Sequence, residues 1–368
     1  MNVFLVEPYF SGSHKAWAMG LQKHSQYDVA LITHEGVYWR WRMSGSAATL
    51  ATEIVEQAKR VKPDLLIVSS MTNLAELKGL LPKELGSIPT ALYMHENQLG
   101  YPLSPNQDSA KVFAFKNWMS MLAADKIFVN SNFHLDQLHQ ELPKFLSRTP
   151  PDYQHHNFID ETLAKTSVLY PGVELSWAKE KPNFATKSVP TVLWNQRWEF
   201  DKSQEQIFDT FGEIAKENLD FELILLGENQ RPLEKASKHH EILATRARHV
   251  GYASREQYLA LLKESDIVVG DPLHEYFGIS IIEALAAGAY PVLPDGLSYP
   301  EILTEKYNHI LFQSGSFKAT LVNAIEAIDK KLKMVEGLDS EMMRFDWFNQ
   351  IQNYDTEFEK LVGLDSQI

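Results

Sequence analysis

Short apolar runs alternate with segments of helical spacing along the whole chain, and the alternation stops once and restarts. In the first half the runs are VFLVEP (3–8), DVALITH (28–34), DLLIVSS (64–70), TALYMHE (90–96) and DKIFVNS (125–131), with helical patterns at 14–24, 46–61 and 110–123. Strands separated by a crossover's length of chain pair in parallel, and the crossovers cover both faces of the sheet. SVLYPGVEL (167–175) reads as a last short strand and a turn. SWAKEKPNFATKSVP (176–190), aperiodic and holding two prolines, reads as a linker. The pattern resumes with TVLWNQ (191–196), FELILLGE (221–228), ARHVGY (247–252), DIVVGD (266–271) and AYPVLPD (289–295). The expected architecture is two α/β domains, 1–175 and 191–344, facing across a cleft, with a terminal amphipathic helix in 345–368 that opens on aromatic residues.

Several functional classes fall away on composition. There is no cysteine, which excludes a disulfide framework, thiolate metal ligation and a cysteine nucleophile. No apolar run approaches the roughly 18 residues that span a bilayer. The start, MNVFLVEPYF, has no basic lead and meets an acid at Glu7, so it reads as a first strand rather than a secretion signal, and a cytoplasmic protein is expected. Net charge is −13, but residues 1–180 hold 16 basic against 18 acidic side chains, whereas the remainder hold 19 against 30. A generally basic nucleic-acid binder is excluded; a local basic patch has room only in the first half.

The stretch HEYFGISIIEALAAG (274–288) carries two acids, Glu275 and Glu283, around a Phe-Gly turn that opens an apolar helix. The helix follows a strand, so its N-terminus faces the ligand crevice of an open α/β sheet. Exposed amides and the partial positive charge there suit phosphate oxygens, which points to Gly278, Ile279 and Ser280, with Phe277 in the turn. Glu275 in the loop can accept from sugar hydroxyls, and Glu283, a turn inside, can reach a second diol such as ribose. A nucleotide-sugar fits this pattern.

These residues, Glu275-x7-Glu283 with Phe277-Gly278, resemble the signature of a large family of retaining nucleotide-sugar glycosyltransferases. That family has the α/β GT-B fold: two facing Rossmann-like domains and a C-terminal helix that crosses back to the first domain. WNQRWEFDKSQE (194–205) adds Arg197-x4-Lys202 directly after the strand that opens the second half. The resemblance implies that Arg197 and Lys202 bind and neutralise the donor diphosphate, with Asn195 beside them. Arg supplies a planar fork of donors and Lys a movable point charge. Gly227 in LLGEN (225–229) and Tyr252 in HVGYASREQYLALLKESDIVV (249–269) resemble the base-side loops, and Tyr170-Pro171-Gly172-Val173 the turn into the linker. Phe345-Asp346-Trp347 and Tyr354 resemble the closing helix.

The first half departs from most of that family, whose N-terminal loop is rich in paired glycines. Here the loop is EPYFSGSHKAW (7–17), in which Gly12, Ser13 and His14 form a strand-to-helix turn suited to phosphate or sugar. With VYWRWRMS (37–44), HENQLGYP (95–102), VNSNFHLDQL (129–138) and Arg197-Trp198-Glu199-x-Asp201-Lys202, this set is similar to the tRNA-queuosine mannosyltransferases. The resemblance implies transfer of mannose from GDP-mannose to the cyclopentenediol of queuosine in a tRNA anticodon loop. Trp39, Arg40, Trp41 and Arg42 suit single-stranded RNA, since rings stack on unpaired bases and Arg pairs with phosphate; as an amphipathic strand end they would instead bury both rings. His95, followed by Glu96, Asn97 and Gln98, is the candidate catalytic group of the first half, with those three neighbours placed to hold hydroxyls of the acceptor.

No Asp-x-Asp occurs in the chain. Its absence fits the GT-B resemblance, which implies metal-independent transfer without a cofactor, with Arg197, Lys202 and the amides at Gly278 taking the place of a cation. Glu275 would grip mannose and Glu283 the ribose. The expected partners are queuosine-bearing tRNA and GDP-mannose, with no membrane and no obligate protein partner. The alternatives are a GT-B enzyme with another nucleotide-sugar or a lipid, polysaccharide or small-molecule acceptor, and a non-catalytic nucleotide-sugar or RNA-binding module.

Overall fold

A computed structural model describes residues 1–101, 110–179, 189–227 and 232–364. The chain divides into two compact units. The first comprises Met1–Glu174 and Phe345–Ile368, the second Leu175–Arg344.

The first unit is built on six parallel strands: β1 (Asn2–Phe10), β2 (Asp28–Glu35), β3 (Leu65–Ser69), β4 (Thr90–Met94), β5 (Lys126–Val129) and β6 (Thr166–Val168), in the order β2-β1-β3-β4-β5-β6. Both faces are covered, so the central strands are mostly apolar, and β3 and β4 are buried at every position. Alternation along the strand sorts their side chains to two cores. Leu66, Val68, Leu92 and Met94 join Leu50, Trp118 and Leu138 on one face; Leu65, Ile67, Ala91 and Tyr93 join Trp17, Leu21, Trp347 and Tyr354 on the other.

The terminal helix, Trp347–Val362, belongs to this second core. Asp346 caps it by accepting from Phe348 N at 2.9 Å, and Gly363 ends it at φ 75°. Its attachment is specific. Val173 and Asp346 form a parallel bridge, with Val173 N donating to Phe345 O at 2.8 Å and Trp347 N to Val173 O at 3.1 Å. The Trp347 ring lies between two glycines: a Cβ on Gly20 would fall 2.0 Å from Trp347 Nε1, and one on Gly172 would fall 2.1 Å from Cδ2. Tyr354 OH donates to Tyr170 O at 3.0 Å and accepts from Trp17 Nε1 at 3.0 Å.

The second unit has five parallel strands: β7 (Thr191–Asn195), β8 (Glu222–Leu226), β9 (Ala247–Gly251), β10 (Ile267–Val269) and β11 (Tyr290–Val292), ordered β11-β10-β7-β8-β9. In both sheets the strand order reverses beside the unit's first strand: between β1 and β3 in the first unit, between β7 and β10 in the second. At such a switch point the flanking crossovers diverge and leave a crevice at the carboxyl ends of the strands.

Two expectations change. The helix anticipated at 46–61 runs Trp39–Ala58. Tyr38, at φ 56°, turns the chain out of the loop after β2, and its carbonyl accepts from Trp41 N and Arg42 N. The run Trp39–Arg42 is therefore a first helical turn, not a strand end. The stretch 167–175 holds only the end of β6 and the Val173 bridge. Of the linker 176–190, Ser176–Lys179 forms a 3-10 turn and 180–188 lie outside the described residues. So do Pro102 of HENQLGYP and Glu228 and Asn229 of LLGEN.

Candidate active site

The richest constellation in the second unit lies at its switch point. β7 ends at Asn195, and the chain continues through Arg197 into the 3-10 turn Phe200–Lys202. β10 ends at Val269 and leads through His274 and Glu275 to the helix Ile279–Ala286, whose N-cap is Gly278 at φ 95°. A side chain at Gly278 would be strained by that φ alone. Gly227 is required by close approach: its Cβ would lie 2.0 Å from Gln196 O.

Lys202 and Glu275 meet here. Lys202 Nζ donates to Glu275 Oε2 at 2.9 Å and to His274 O at 3.0 Å, and stands 3.3 Å from Asp201 Oδ2. Burial alone would lower the proton affinity of Lys202, but the Glu275 and Asp201 carboxylates outweigh it and hold its pKa above the ordinary lysine value. The ammonium therefore stays charged. Arg197 is more open, 43% exposed, with Nη1 3.4 Å from Glu199. Burial, then Lys202, lowers the His274 pKa to about 4, so its imidazole is neutral at neutral pH.

Glu283 is reached by a second chain of contacts. Asn195 Nδ2 donates to Ser280 O at 2.8 Å and lies 3.3 Å from Tyr258 OH, and Tyr258 OH donates to Glu283 Oε2 at 2.8 Å. Arg255 Nη1 stands 2.6 Å from Glu283 Oε1. Burial raises the Glu283 pKa against the opposing pull of Arg255 and Tyr258. Sequence reasoning assigned Arg255 and Tyr258 no role. Their three-residue spacing on the helix Arg255–Lys263 puts both on one face, which is the signal that could have found them. Tyr252 is 71% exposed beyond Gly251, at the end of β9.

In the first unit, the carboxyl ends of β1 and β4 bring Glu7, His14 and His95 together. His14 Nδ1 lies 2.8 Å from Glu7 Oε2, and the His14 and His95 rings are 4.1 Å apart. Burial, reinforced by His14 and His134, holds the His95 pKa well below the ordinary histidine value. Gly12 and Ser13 are exposed at the start of the helix Gly12–His24. Glu7 opens the quoted motif but had been given no role.

The expected acceptor residues divide. Asn97 is 1% exposed and holds the loop instead of facing outward. Its Nδ2 donates to His134 Nε2 at 2.9 Å, its Oδ1 accepts from Leu99 N at 3.0 Å, and His134 Nδ1 donates to Asn130 Oδ1 at 2.8 Å. Asn130 Nδ2 closes the chain by donating to His95 O at 2.8 Å. This network explains the VNSNFH motif: it fixes one His134 tautomer and fastens the segment after β4. Gln98 is buried too, with its backbone N on Asn117 Oδ1 at 2.9 Å and its Nε2 donating to Glu96 Oε1 at 3.0 Å. Trp39 packs on Phe113 at 5.0 Å, whereas Trp41 is 77% exposed and Arg42 Nε donates to Glu35 O at 3.2 Å. Arg40 lies 5.3 Å over the Trp39 ring.

Comparison with known proteins agrees with this geometry. The family model described as tRNA-queuosine alpha-mannosyltransferase N-terminal matches residues 2–173, and that of glycosyl transferases group 1 matches 176–337. A tRNA-queuosine alpha-mannosyltransferase of Drosophila melanogaster is 30% identical over 343 residues, covering 90% of this chain and 86% of the relative. Among solved structures, Anabaena Alr3699/HepE in complex with UDP-glucose superposes with a TM-score of 0.67 at 16% identity, covering 98% of this chain and 100% of that one. The lipopolysaccharide outer core galactosyltransferase WaaB gives 0.65 at 15% identity, with the same coverage. No helix among the described residues is long and apolar enough to cross a membrane. The chain is a glycosyltransferase of the GT-B fold and belongs to the tRNA-queuosine alpha-mannosyltransferase family.

Proposed function

We propose that this enzyme transfers mannose from GDP-mannose to queuosine in the anticodon loop of tRNA, with retained configuration and without a metal ion. The observation that carries the donor half is the Lys202–Glu275 pair beside the Gly278 N-cap at the second unit's switch point.

Breaking the bond between the sugar C1 and the phosphate oxygen builds positive charge on the sugar and negative charge on the leaving GDP. Arg197, Lys202 and the amides at Gly278, Ile279 and Ser280 are the groups that would receive the diphosphate. Such preorganised donors contribute about 3–4 kcal/mol each to transition-state stabilisation. Binding there draws Lys202 from a carboxylate to a phosphate, which frees Glu275 to accept from mannose hydroxyls. Glu283 would accept from the ribose diol in place of Arg255 or Tyr258. The acceptor oxygen attacks C1 on the face the phosphate leaves, and the departing phosphate oxygen takes the acceptor's proton. No protein nucleophile is used.

The acceptor half rests on the first unit. Trp41 and Tyr38, each 77% exposed, stand beside Arg40 and Arg42 at the start of one helix. Exposed rings interleaved with guanidinium groups suit splayed bases and backbone phosphates of single-stranded RNA. His95, with Glu96 next to it, would face the hydroxyls that react.

The test is transfer of label from GDP-mannose to tRNA from cells that make queuosine and from cells that cannot. Label confined to the queuosine-containing tRNA is expected. Label in both, or in neither while GDP-mannose is slowly hydrolysed, would overturn the acceptor and leave the donor half standing.

A further inference from the structure

Glu7 is fully buried at the carboxyl-terminal part of β1, and the donor chemistry above makes no use of it. Its oxygens are divided between two donors: Oε1 accepts from Tyr9 N at 2.8 Å and Oε2 from His14 Nδ1 at 2.8 Å. An ionised carboxylate only accepts, so the proton of this contact sits on His14 Nδ1, and Nε2 is turned to the far side of the ring. His95 completes the group. Its Nε2 lies 3.9 Å from the same Glu7 Oε2, its side chain is 9% exposed, and that nitrogen is buried with no hydrogen-bond partner. Trp17 and Tyr93 wall the ring at 4.7 and 4.8 Å.

A buried carboxylate costs stability, and a well-packed apolar residue would serve a strand such as β1 better. Val3, Phe4, Leu5 and Val6, just before it, are apolar and buried. The exception falls at the switch point, where ligands of open α/β sheets bind. Gly12, two residues before His14, has φ 48° and open space where its Cβ would be, so the turn beside the imidazole is accessible. The buried, unpartnered His95 nitrogen is a second sign of a ligand.

We propose that Glu7 is a positioning residue of the transfer reaction: it fixes His14 as an Nδ1–H imidazole and seats that ring against His95, so that the two rings together orient the acceptor's vicinal diol. This role rests on the queuosine-tRNA reading. In this tautomer His14 Nε2 is an acceptor, its Nδ1–H being committed to Glu7, while the neutral His95 ring carries one donor and one acceptor nitrogen; two adjacent hydroxyls need both kinds of partner. A divalent metal is the competing occupant, because the three ligand atoms lie within 4.8 Å of one another. The distances argue against it. Ligand atoms about 2.0 Å from a tetrahedral ion stand roughly 3.3 Å apart, whereas here one pair is a 2.8 Å hydrogen bond and another is 3.9 Å.

The experiment compares two reactions of the same protein: mannosyl transfer to queuosine-tRNA, and hydrolysis of GDP-mannose without acceptor. Glu7→Gln is expected to lower kcat for transfer at least tenfold, with hydrolysis and the KM for GDP-mannose changed less than twofold. The 15N resonances of His14 should lose their single Nδ1–H signature. If Glu7→Gln fails to fold, Glu7→Asp, which keeps the carboxylate but draws it back from His14 Nδ1, should lose transfer in the same selective way. Equal loss of both reactions would assign the group to the donor or to folding. Unchanged transfer would make Glu7 idle, and a stoichiometric metal whose chelation abolishes transfer would make it a metal site; each overturns the proposal. A wild-type enzyme that hydrolyses GDP-mannose but never labels queuosine-tRNA overturns the acceptor reading first, before any variant is made.

Discussion

Lys202 and Glu275 form a buried ion pair with Nζ and Oε2 2.9 Å apart, although 73 residues separate them in sequence. The pair joins the segment after β7 to the segment after β10. It also means that the lysine cannot be removed without leaving acids behind. Lys202→Ala should lose activity and also cost about 3–5 kcal/mol of stability, because Glu275 and Asp201 are left without their cation. Arg197→Ala, at an exposed position, should lower kcat by about 10²–10³ with unfolding unchanged. Steady-state kinetics and urea unfolding of the two variants check this. Near-wild-type turnover in Arg197→Ala would falsify its assignment to the diphosphate.

The two tryptophans of the first helical turn should separate stability from RNA binding. Trp41→Ala is expected to leave stability within about 0.5 kcal/mol. It should weaken queuosine-tRNA binding about 5- to 150-fold, the loss of one stacked base. Trp39→Ala, which removes the partner of Phe113, should instead lower the unfolding midpoint. Binding isotherms and denaturant titrations on the same preparations would show whether the two effects part in this way.

Gly20 offers a test in which two physical effects have opposite signs. It lies inside a helix, where alanine is favoured over glycine by about 1 kcal/mol. The Trp347 ring fills the space its Cβ needs. Gly20→Ala should therefore destabilise, by about 1–3 kcal/mol or more for an overpacked core. Gly172→Ala should do the same, because its Cβ would meet Cδ2 of the same ring. Combining either with Trp347→Ala should give less than the sum of the separate losses. Thermal unfolding of the three single and two double variants would settle the sign.

Acid should weaken the protein through His274. Its folded pKa is about 4, below the ordinary histidine value of 6.5, so the unfolded state binds more protons between those values. The stability tied to the neutral imidazole is present above roughly pH 6.5 and is lost as pH falls toward 4, by up to about 3 kcal/mol. His95, also depressed, acts in the same direction. Unfolding free energies between pH 7 and pH 4 should fall less steeply in His274→Gln than in the wild type; parallel curves would show that this histidine contributes nothing to acid sensitivity.

The fold was legible because both sheets are parallel and buried on two faces, which writes each central strand around a continuous apolar stretch such as LLIV or VLW. The meeting of the second unit's motif residues was legible for a related reason: residues after β7 and β10 come together at one switch point, so a strand-end motif in sequence becomes a neighbour in space. What sequence could not supply was the facing of side chains. Asn97 and Gln98 stand two and three residues after His95, yet they turn inward to His134, Asn117 and Glu96. Trp39 and Trp41 are two apart, which a strand would place on one side and a helix divides. Glu7 was passed over because an acid at a strand end is common, and only its 2.8 Å contact with His14 sets it apart.

The bridge between Val173 and Asp346, with Trp347 lodged between Gly20 and Gly172, makes the second unit a long insertion within the first. On a ribosome, the segment that completes the Tyr93–Trp17 core is synthesised only after the whole of the second unit. After Glu174 has emerged, about 170 further residues must be added before Phe345 can follow, which takes on the order of ten to thirty seconds at cellular elongation rates. Through that interval Trp17, Tyr93 and Leu169 lie beside an unfilled groove shaped for a helix not yet made. The nascent first unit therefore has to tolerate exposed aromatic surface while the second unit is made, and that face of its sheet is covered only when the helix Trp347–Val362 arrives.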